Sequence, residues 1–81
     1  MIPVVITYSW RKSPIVVLCK TEEEALQKLR SLYKEEVYKK KQENPNMYTS
    51  SINSNGYYAK VTVFHHHGSD TTEWAIGSLL E

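Results

Sequence analysis

The chain has 81 residues, of which 41% are hydrophobic and 23% are charged. This length allows one domain with a small core, and this composition excludes a disordered chain, because disorder needs fewer aromatic residues and a higher net charge. Ten basic and nine acidic residues give a formal net charge of +1 at pH 7. So small a charge excludes a strong overall attraction to nucleic acid or to an anionic membrane.

The N-terminus and the cysteine content favour a reducing compartment. Residues 1–10 read MIPVVITYSW, which lacks the basic segment and long apolar run of a secretory signal. No stretch reaches the roughly 18 consecutive apolar residues of a membrane span. The single cysteine, Cys19, cannot form an internal disulfide, whereas small secreted domains usually carry several cysteines. We therefore expect a cytoplasmic protein that does not enter a membrane.

Two short strands are predicted first. In Pro3–Trp10 larger apolar residues alternate with smaller ones, which is the two-residue period of a strand. A polar turn follows, and Ile15–Cys19 (IVVLC) is a β-branched run that we expect to pair back as a hairpin. Because IVVLC offers apolar residues to both faces, it is typical of a central strand.

The stretch Thr21–Lys41 is predicted to form one long helix. It opens with a capping box, in which Thr21 accepts from the backbone N–H of Glu24 and the Glu24 side chain accepts from the N–H of Thr21. Glutamates fill its first turn and lysines its last, as the helix dipole favours. Glu36 and Lys40 interrupt the apolar stripe in the second half, so we expect this half to run past the sheet or to fray.

Three further strands are predicted after the helix. Asn55-Gly56 is typical of a type I′ hairpin turn, which needs positive φ at both central positions. Centring the turn there pairs Ile52 with Ala59, Ser50 with Val61 and Tyr48 with Val63 on one face, while Tyr58, Lys60, Thr62 and Phe64 point to the other.

A second turn is predicted at His67–Asp70 and a last strand at Thr71–Leu80. The order β-β-α-β-β-β predicts a single α+β domain over residues 1–81. Its sheet would be mainly antiparallel, with four or five strands and one long helix packed on one face.

Histidine and cysteine chemistry gives weak support for catalysis or metal binding. His65 and His67 would project to one side of a strand, a spacing that some metal sites use. A structural site usually needs four ligands, and no recognisable pair completes this one; a polar strand end that leads into a turn explains the histidines more simply. Cys19 sits in an apolar run, where a free cysteine is usually an inert hydrophobe. We therefore expect no enzyme, no cofactor and no metal.

Binding of single-stranded nucleic acid has a better physical basis. Tyr58 and Lys60 place an aromatic ring and a cation on one strand, and Lys39, Lys40 and Lys41 make the helix end basic. Aromatic side chains on an open sheet can stack bases. Against this, the helix dipole already accounts for the three lysines, and the glycine-aromatic pattern of RNA-recognition strands is missing. We keep this function as the alternative.

Contact with a protein partner is the function that the sequence favours. One helix covers only one side of a sheet, which leaves Tyr58 and Phe64 without a cover. Trp10 and Arg11 lie at the predicted tip of the first hairpin, and Trp, Tyr and Arg are enriched at interfaces. We therefore predict a binding module with these four contact residues. A homodimer that joins edges or faces is one form of this contact, and it would enlarge the small core.

The segment Tyr58–Gly77 contains YAKV and TEWAIG on either side of a histidine-bearing turn with Asp70. Together with the TEEEAL helix start after a short apolar strand, it resembles short uncharacterised proteins of Firmicutes genomes and their phages or mobile elements. The matching stretches cover about half of the chain. The resemblance implies a bacterial or phage origin and transfers no activity to any residue. Small phage proteins of this sort often bind and block a host or defence protein.

Overall fold

The computed structural model describes residues 1–43 and 46–77, and in these ranges the chain forms five strands and one helix. They are β1 (Ile2–Tyr8), β2 (Ile15–Cys19), α1 (Glu22–Glu43), β3 (Tyr48–Ile52), β4 (Tyr58–His65) and β5 (Gly68–Ile76). The predicted fold class is confirmed: an antiparallel five-stranded sheet carries the helix on one face.

The strands lie in the order β2-β1-β5-β4-β3, and every neighbouring pair is antiparallel. A first hairpin and a last three-stranded meander are therefore joined through β1 and β5, whose register sets Val4 opposite Ile76. This pairing of distant segments leaves β2 and β3 at the two edges. The central position predicted for β2 is wrong, although its bounds are confirmed.

The helix begins at a cap that differs from the predicted one in a single bond. The N–H of Glu24 donates to Thr21 Oγ1 at 3.1 Å. The Glu24 carboxylate accepts from the N–H of Lys20 at 2.8 Å, and not from the N–H of Thr21. The helix then continues to Glu43, and Val37 in its second half still packs against the core. In the described part of the chain no helix is both long and apolar enough to cross a membrane.

The core lies between α1 and the sheet face that α1 covers, called here the covered face. Its buried members come from the helix and from four strands: Val4, Ile6, Cys19, Ala25, Leu29, Ala59, Val61 and Trp74. Leu29 is fully buried, and the ring edge of Tyr33 packs on Trp74 with centroids 6.1 Å apart. One layer of side chains thus holds helix and sheet together.

The register predicted for β3 and β4 is confirmed pair by pair. Ile52 lies opposite Ala59, Ser50 opposite Val61 and Tyr48 opposite Val63. Alternation places Ala59 and Val61 beneath the helix, where both are buried, and turns the residues between them to the other face.

The turn of this hairpin is wider than predicted. Gly56 has a φ of 77°, whereas Asn55 does not have positive φ, so the turn is not of type I′. Four residues separate Asn53 from Tyr58, whose carbonyl accepts the Asn53 N–H at 2.9 Å. Gly56 lies under the helix, where an added Cβ would stand 3.2 Å from Leu26 Cδ2. The positive φ therefore favours glycine, and the Leu26 side chain would have to shift slightly to admit a Cβ.

The last hairpin turns earlier than predicted. The predicted turn was His67–Asp70, but His65 already pairs with Gly68 across a two-residue turn. Gly68 has a φ of 136°, a conformation that side chains disfavour. Asp70 consequently lies within β5. The predicted end of this strand, Leu80, lies outside the described residues.

Candidate contact surfaces

The sheet face opposite α1, called here the open face, has no covering element in residues 1–43 and 46–77. Tyr58 and Lys60 point to it, because Ala59 and Val61, which alternate with them, are buried beneath the helix. Phe64 points the same way by the two-residue period of the strand. The sequence prediction for these three side chains is therefore confirmed in orientation.

An apolar corner occupies the end of the open face nearest to β2. Two neighbouring rows of cross-strand partners form it, one made of Val16, Val5, Ala75 and Tyr58 and the other of Leu18 and Pro3. Val16 is 43% exposed and Leu18 is 54% exposed. Two well-exposed apolar side chains of the open face thus lie at the β2 edge of the sheet.

Polar side chains fill the middle of the open face. Lys60 lies opposite Glu73, and the Tyr58 hydroxyl donates to Glu73 Oε1 at 2.9 Å. The hydroxyls of Thr62 and Thr71 are 3.1 Å apart. Burial, the hydrogen bond to Glu73 and the negative charge of Glu73 together raise the pKa of Tyr58 above its ordinary value of 10.0. Tyr58 is thus a neutral, fixed member of the sheet at physiological pH.

Phe64 lies apart from Tyr58 on the same strand. Phe64 lies six positions after Tyr58 along β4, which corresponds to about 20 Å. Phe64 is 46% exposed, and its N–H donates to the carbonyl of Met47 at 2.8 Å. The two residues therefore belong to one face but to different corners of it.

Trp10 and Arg11 belong to a cluster at the tip of the first hairpin. The Tyr8 ring contacts both: its centroid lies 4.9 Å from that of the Trp10 ring and 5.8 Å from the Arg11 guanidinium carbon. Tyr8 also packs against the core, which anchors the cluster. Trp10 remains 57% exposed. This hairpin cluster lies on the side of the helix and therefore does not adjoin Phe64.

A cleft of about 350 Å³ opens beside Trp10 on the covered face, under the second half of α1. Its lining consists of Trp10, Glu36, Lys40, Val61, Val63, Asp70 and Thr72. Lys40 Nζ lies 3.4 Å from Glu36 and 3.6 Å from Glu43. The residues that interrupt the apolar stripe of the helix are therefore a wall of this cleft. Sequence reasoning missed the cleft, because its lining comes from four separate segments.

The residues proposed for nucleic-acid binding fall on opposite sides of the sheet. Tyr58 and Lys60 lie on the open face, whereas Lys39, Lys40 and Lys41 belong to the helix on the other side. Glu73, beside Lys60, adds a negative charge to the open face, which opposes binding of phosphates. The structure does not bring this set together.

The histidine and cysteine candidates are engaged within the fold. His65 Nε2 lies 3.2 Å from Asp70 Oδ2, and the N–H of His67 donates to His65 Nδ1 at 3.3 Å. Cys19 is free and buried. Among the described residues no group of three or more histidine, cysteine or acidic side chains could hold a metal ion. His65 and His67 therefore lack a third protein ligand in this part of the chain.

These features define a small α+β domain with a sheet face that no element of residues 1–43 and 46–77 covers, an aromatic hairpin tip and a cleft beside Trp10. Searches of protein-family models, of curated proteins and of solved structures give no match to this chain.

Proposed function

We propose that this protein is a non-enzymatic binding module that acts through contact with another protein. The uncovered sheet face carries the proposal, because a small domain that exposes large apolar side chains on one face commonly uses them for binding. Phe64 is about half exposed there, and its N–H donates to the carbonyl of Met47, whose side chain is also exposed. Truncating it would cost the fold little, which is typical of a side chain kept for contact.

The hairpin cluster gives the module a second contact point. Tyr8 contacts Trp10 through a tilted pair of rings and Arg11 through a cation–π contact. Trp and Arg are the residue types that most often dominate interface energetics. A side chain that is already held in place loses less entropy when a partner binds. Trp10 is therefore suited to act as an anchor.

The finer proposal concerns the identity of the partner. The resemblance to phage-encoded proteins supports a host or defence protein that this module binds and blocks. A cytoplasmic setting is part of the same proposal and is supported by a free cysteine in the core.

Affinity purification from bacterial cells tests the proposal. We expect Phe64→Ala and Trp10→Ala each to reduce recovery of one specific host protein by at least about tenfold, as loss of an interface hot spot does. Tyr38→Ala is the matched control, because Tyr38 is 65% exposed on α1 and belongs to neither surface. Quantitative mass spectrometry gives the recoveries, and circular dichroism confirms that all variants fold.

The contrary result is also clear. If wild type, both variants and the control recovered every captured protein equally, neither Phe64 nor Trp10 would be a contact residue, and the proposed function would be rejected.

A further inference from the structure

We propose that the protein forms a symmetric homodimer in which the β2 edges of two copies pair antiparallel, so that two five-stranded sheets become one continuous sheet. The partner here is a second copy of the chain. The proposal thus goes beyond contact with another protein. It concerns the β2 edge of the sheet, whereas Phe64 lies on β4.

The two edges of the sheet differ in chemistry. Edge strands of monomeric proteins usually carry charges, a proline or a bulge that prevents further pairing. β2 reads IVVLC and contains none of these. At the other edge β3 reads YTSSI and presents Thr49 and Ser51 to the open face. The sequence of β2 is that of a central strand, and pairing with a second copy would give it a central position.

The backbone geometry identifies which groups of β2 are available. The carbonyl of Pro3 accepts from Gly77 at 3.4 Å, so Pro3 points its polar groups toward β5. Pro3 lies opposite Leu18. Because Pro3 bonds to β5, Pro3 and Leu18 form a non-hydrogen-bonded pair, and in an antiparallel ladder both members of such a pair point their polar groups away from each other. Leu18, and Val16 two residues before it, therefore point their N–H and C=O groups away from β1. Val17 between them bonds to β1.

Both flanks of this segment are closed to pairing. Pro14 before it has no N–H. The N–H of Lys20 after it already donates to Glu24 at 2.8 Å. Among the residues of this segment whose polar groups point outward, only Val16 and Leu18 therefore offer both a free backbone N–H and a free backbone C=O.

One symmetric register uses both residues fully. A two-fold axis at Val17 pairs Val16 of each copy with Leu18 of the other, and each pair exchanges two backbone hydrogen bonds. An axis at Val16 would set Leu18 against Pro14, and an axis at Leu18 would set Val16 against Lys20. In each of those registers one outward-pointing carbonyl of every copy, that of Leu18 or of Val16, would face a residue with no free N–H. Only the axis at Val17 pairs every outward-pointing N–H and C=O of Val16 and Leu18.

The side chains agree with this register. On the open face Val16 and Leu18 of both copies would lie together and extend the apolar corner across the interface. On the covered face the two Val17 side chains would meet as a non-hydrogen-bonded pair, in which side chains approach most closely. Val16 and Leu18, both well exposed in the protomer, would thereby lose contact with water.

The charges at the two ends of β2 favour the antiparallel direction. Arg11 and Lys12 precede the strand. Lys20, Glu22 and Glu23 follow it, so that this end carries a net negative charge. Antiparallel pairing sets the basic end of each copy beside the acidic end of the other. Parallel pairing would set like charges together, which costs binding energy.

Sedimentation equilibrium of the full chain tests the proposal. We expect the wild type to reach twice the protomer mass of 9.4 kDa as its concentration rises. The double variant Val16→Lys, Leu18→Lys should weaken dimerisation by at least about tenfold, because it brings four lysines together at the interface. Both side chains are exposed in the protomer, so its fold should persist by circular dichroism. Thr49→Lys with Ser51→Lys, at the β3 edge, is the matched control and should dimerise like the wild type.

Amide hydrogen exchange locates the interface. In the dimer the amides of Val16 and Leu18 should become protected as concentration rises, whereas Val17 should be protected at every concentration. A wild type that keeps the protomer mass up to about 1 mM, a lysine double variant that still dimerises, or a dimer with unprotected Val16 and Leu18 amides would each overturn the proposal. None of these results would affect the contact function assigned to Phe64 and Trp10.

Discussion

The hydroxyl of Tyr58 ties β4 to β5 through Glu73, at a donor to acceptor distance of 2.9 Å. Tyr58→Phe keeps the ring and removes this bond. Because the pair is only partly buried, we expect a loss of about 0.5–1 kcal/mol in the free energy of unfolding near pH 7. Urea titration measures it. Tyr38→Phe, at an exposed position on the helix, is the control and should be neutral.

The same pair predicts a pH dependence. The raised pKa of Tyr58 means that the folded state holds the hydroxyl proton more tightly than the unfolded state. Its stabilising contribution is therefore complete below the ordinary value of 10.0, and it is lost as the pH rises through the higher pKa of the folded state. The difference in stability between wild type and Tyr58→Phe should thus shrink above that value. A difference that stays constant to pH 11 or so would contradict this assignment.

At the scale of elements, local patterns predict the helix and most strands. The register of β3 against β4 follows from alternation, because a shift by one residue would move Ala59 and Val61 out of the core. The predicted type I′ turn at Asn55-Gly56 is wrong, because the loop is longer than two residues and only Gly56 has positive φ. Local sequence patterns therefore predict which side chains point to which face of the sheet better than they predict the type of turn.

The order of the strands and the cleft beside Trp10 cannot be predicted from local sequence patterns. Which strands are central depends on the pairing of β1 with β5, near opposite ends of the described chain, and no local pattern reports it. The cleft beside Trp10 is missed for the same reason, because Lys40 and Asp70 come near Trp10 only in the folded chain. Of the predicted contact residues, Tyr58 and Phe64 share a face, whereas Trp10 and Arg11 form a separate cluster.

The cap of α1 allows a test that separates a hydrogen bond from the helix dipole. Glu23 and Glu24 both lie in the first turn, so replacing either by alanine removes one favourable charge. Only Glu24 also accepts the N–H of Lys20. We expect Glu24→Ala to lower the free energy of unfolding by about 1 kcal/mol more than Glu23→Ala. Equal losses in urea titrations of the two variants would show that the bond contributes nothing.

At the scale of the molecule, the proposed dimer interface and Phe64 lie on different strands of the sheet. β4, with Phe64, lies three positions from β2 in the sheet, a distance of about 14 Å. A two-fold axis normal to the sheet would leave both helices on one face and both Phe64 side chains on the other. Dimerisation would therefore duplicate the contact surface without covering Phe64, and a bivalent module binds a repeated or clustered partner more tightly than a single copy does.

Thermal stability should report the dimer directly. A domain of 81 residues buries only about 60% of its unfolded surface and is marginal alone, so association that requires the folded state should raise its Tm with concentration. For a dimer, a hundredfold increase in concentration corresponds to about 1.4 kcal/mol per protomer, or roughly 5–10 °C in Tm.

Differential scanning calorimetry of three proteins over that concentration range checks this expectation. The Tm of the wild type and of Thr49→Lys with Ser51→Lys should rise in parallel, because the β3 edge takes no part in pairing. The Tm of Val16→Lys with Leu18→Lys should stay constant, since the lysines leave the protomer intact and remove only the association. A wild-type Tm that does not change with concentration would mean that the β2 edge of the folded chain stays unpaired in solution.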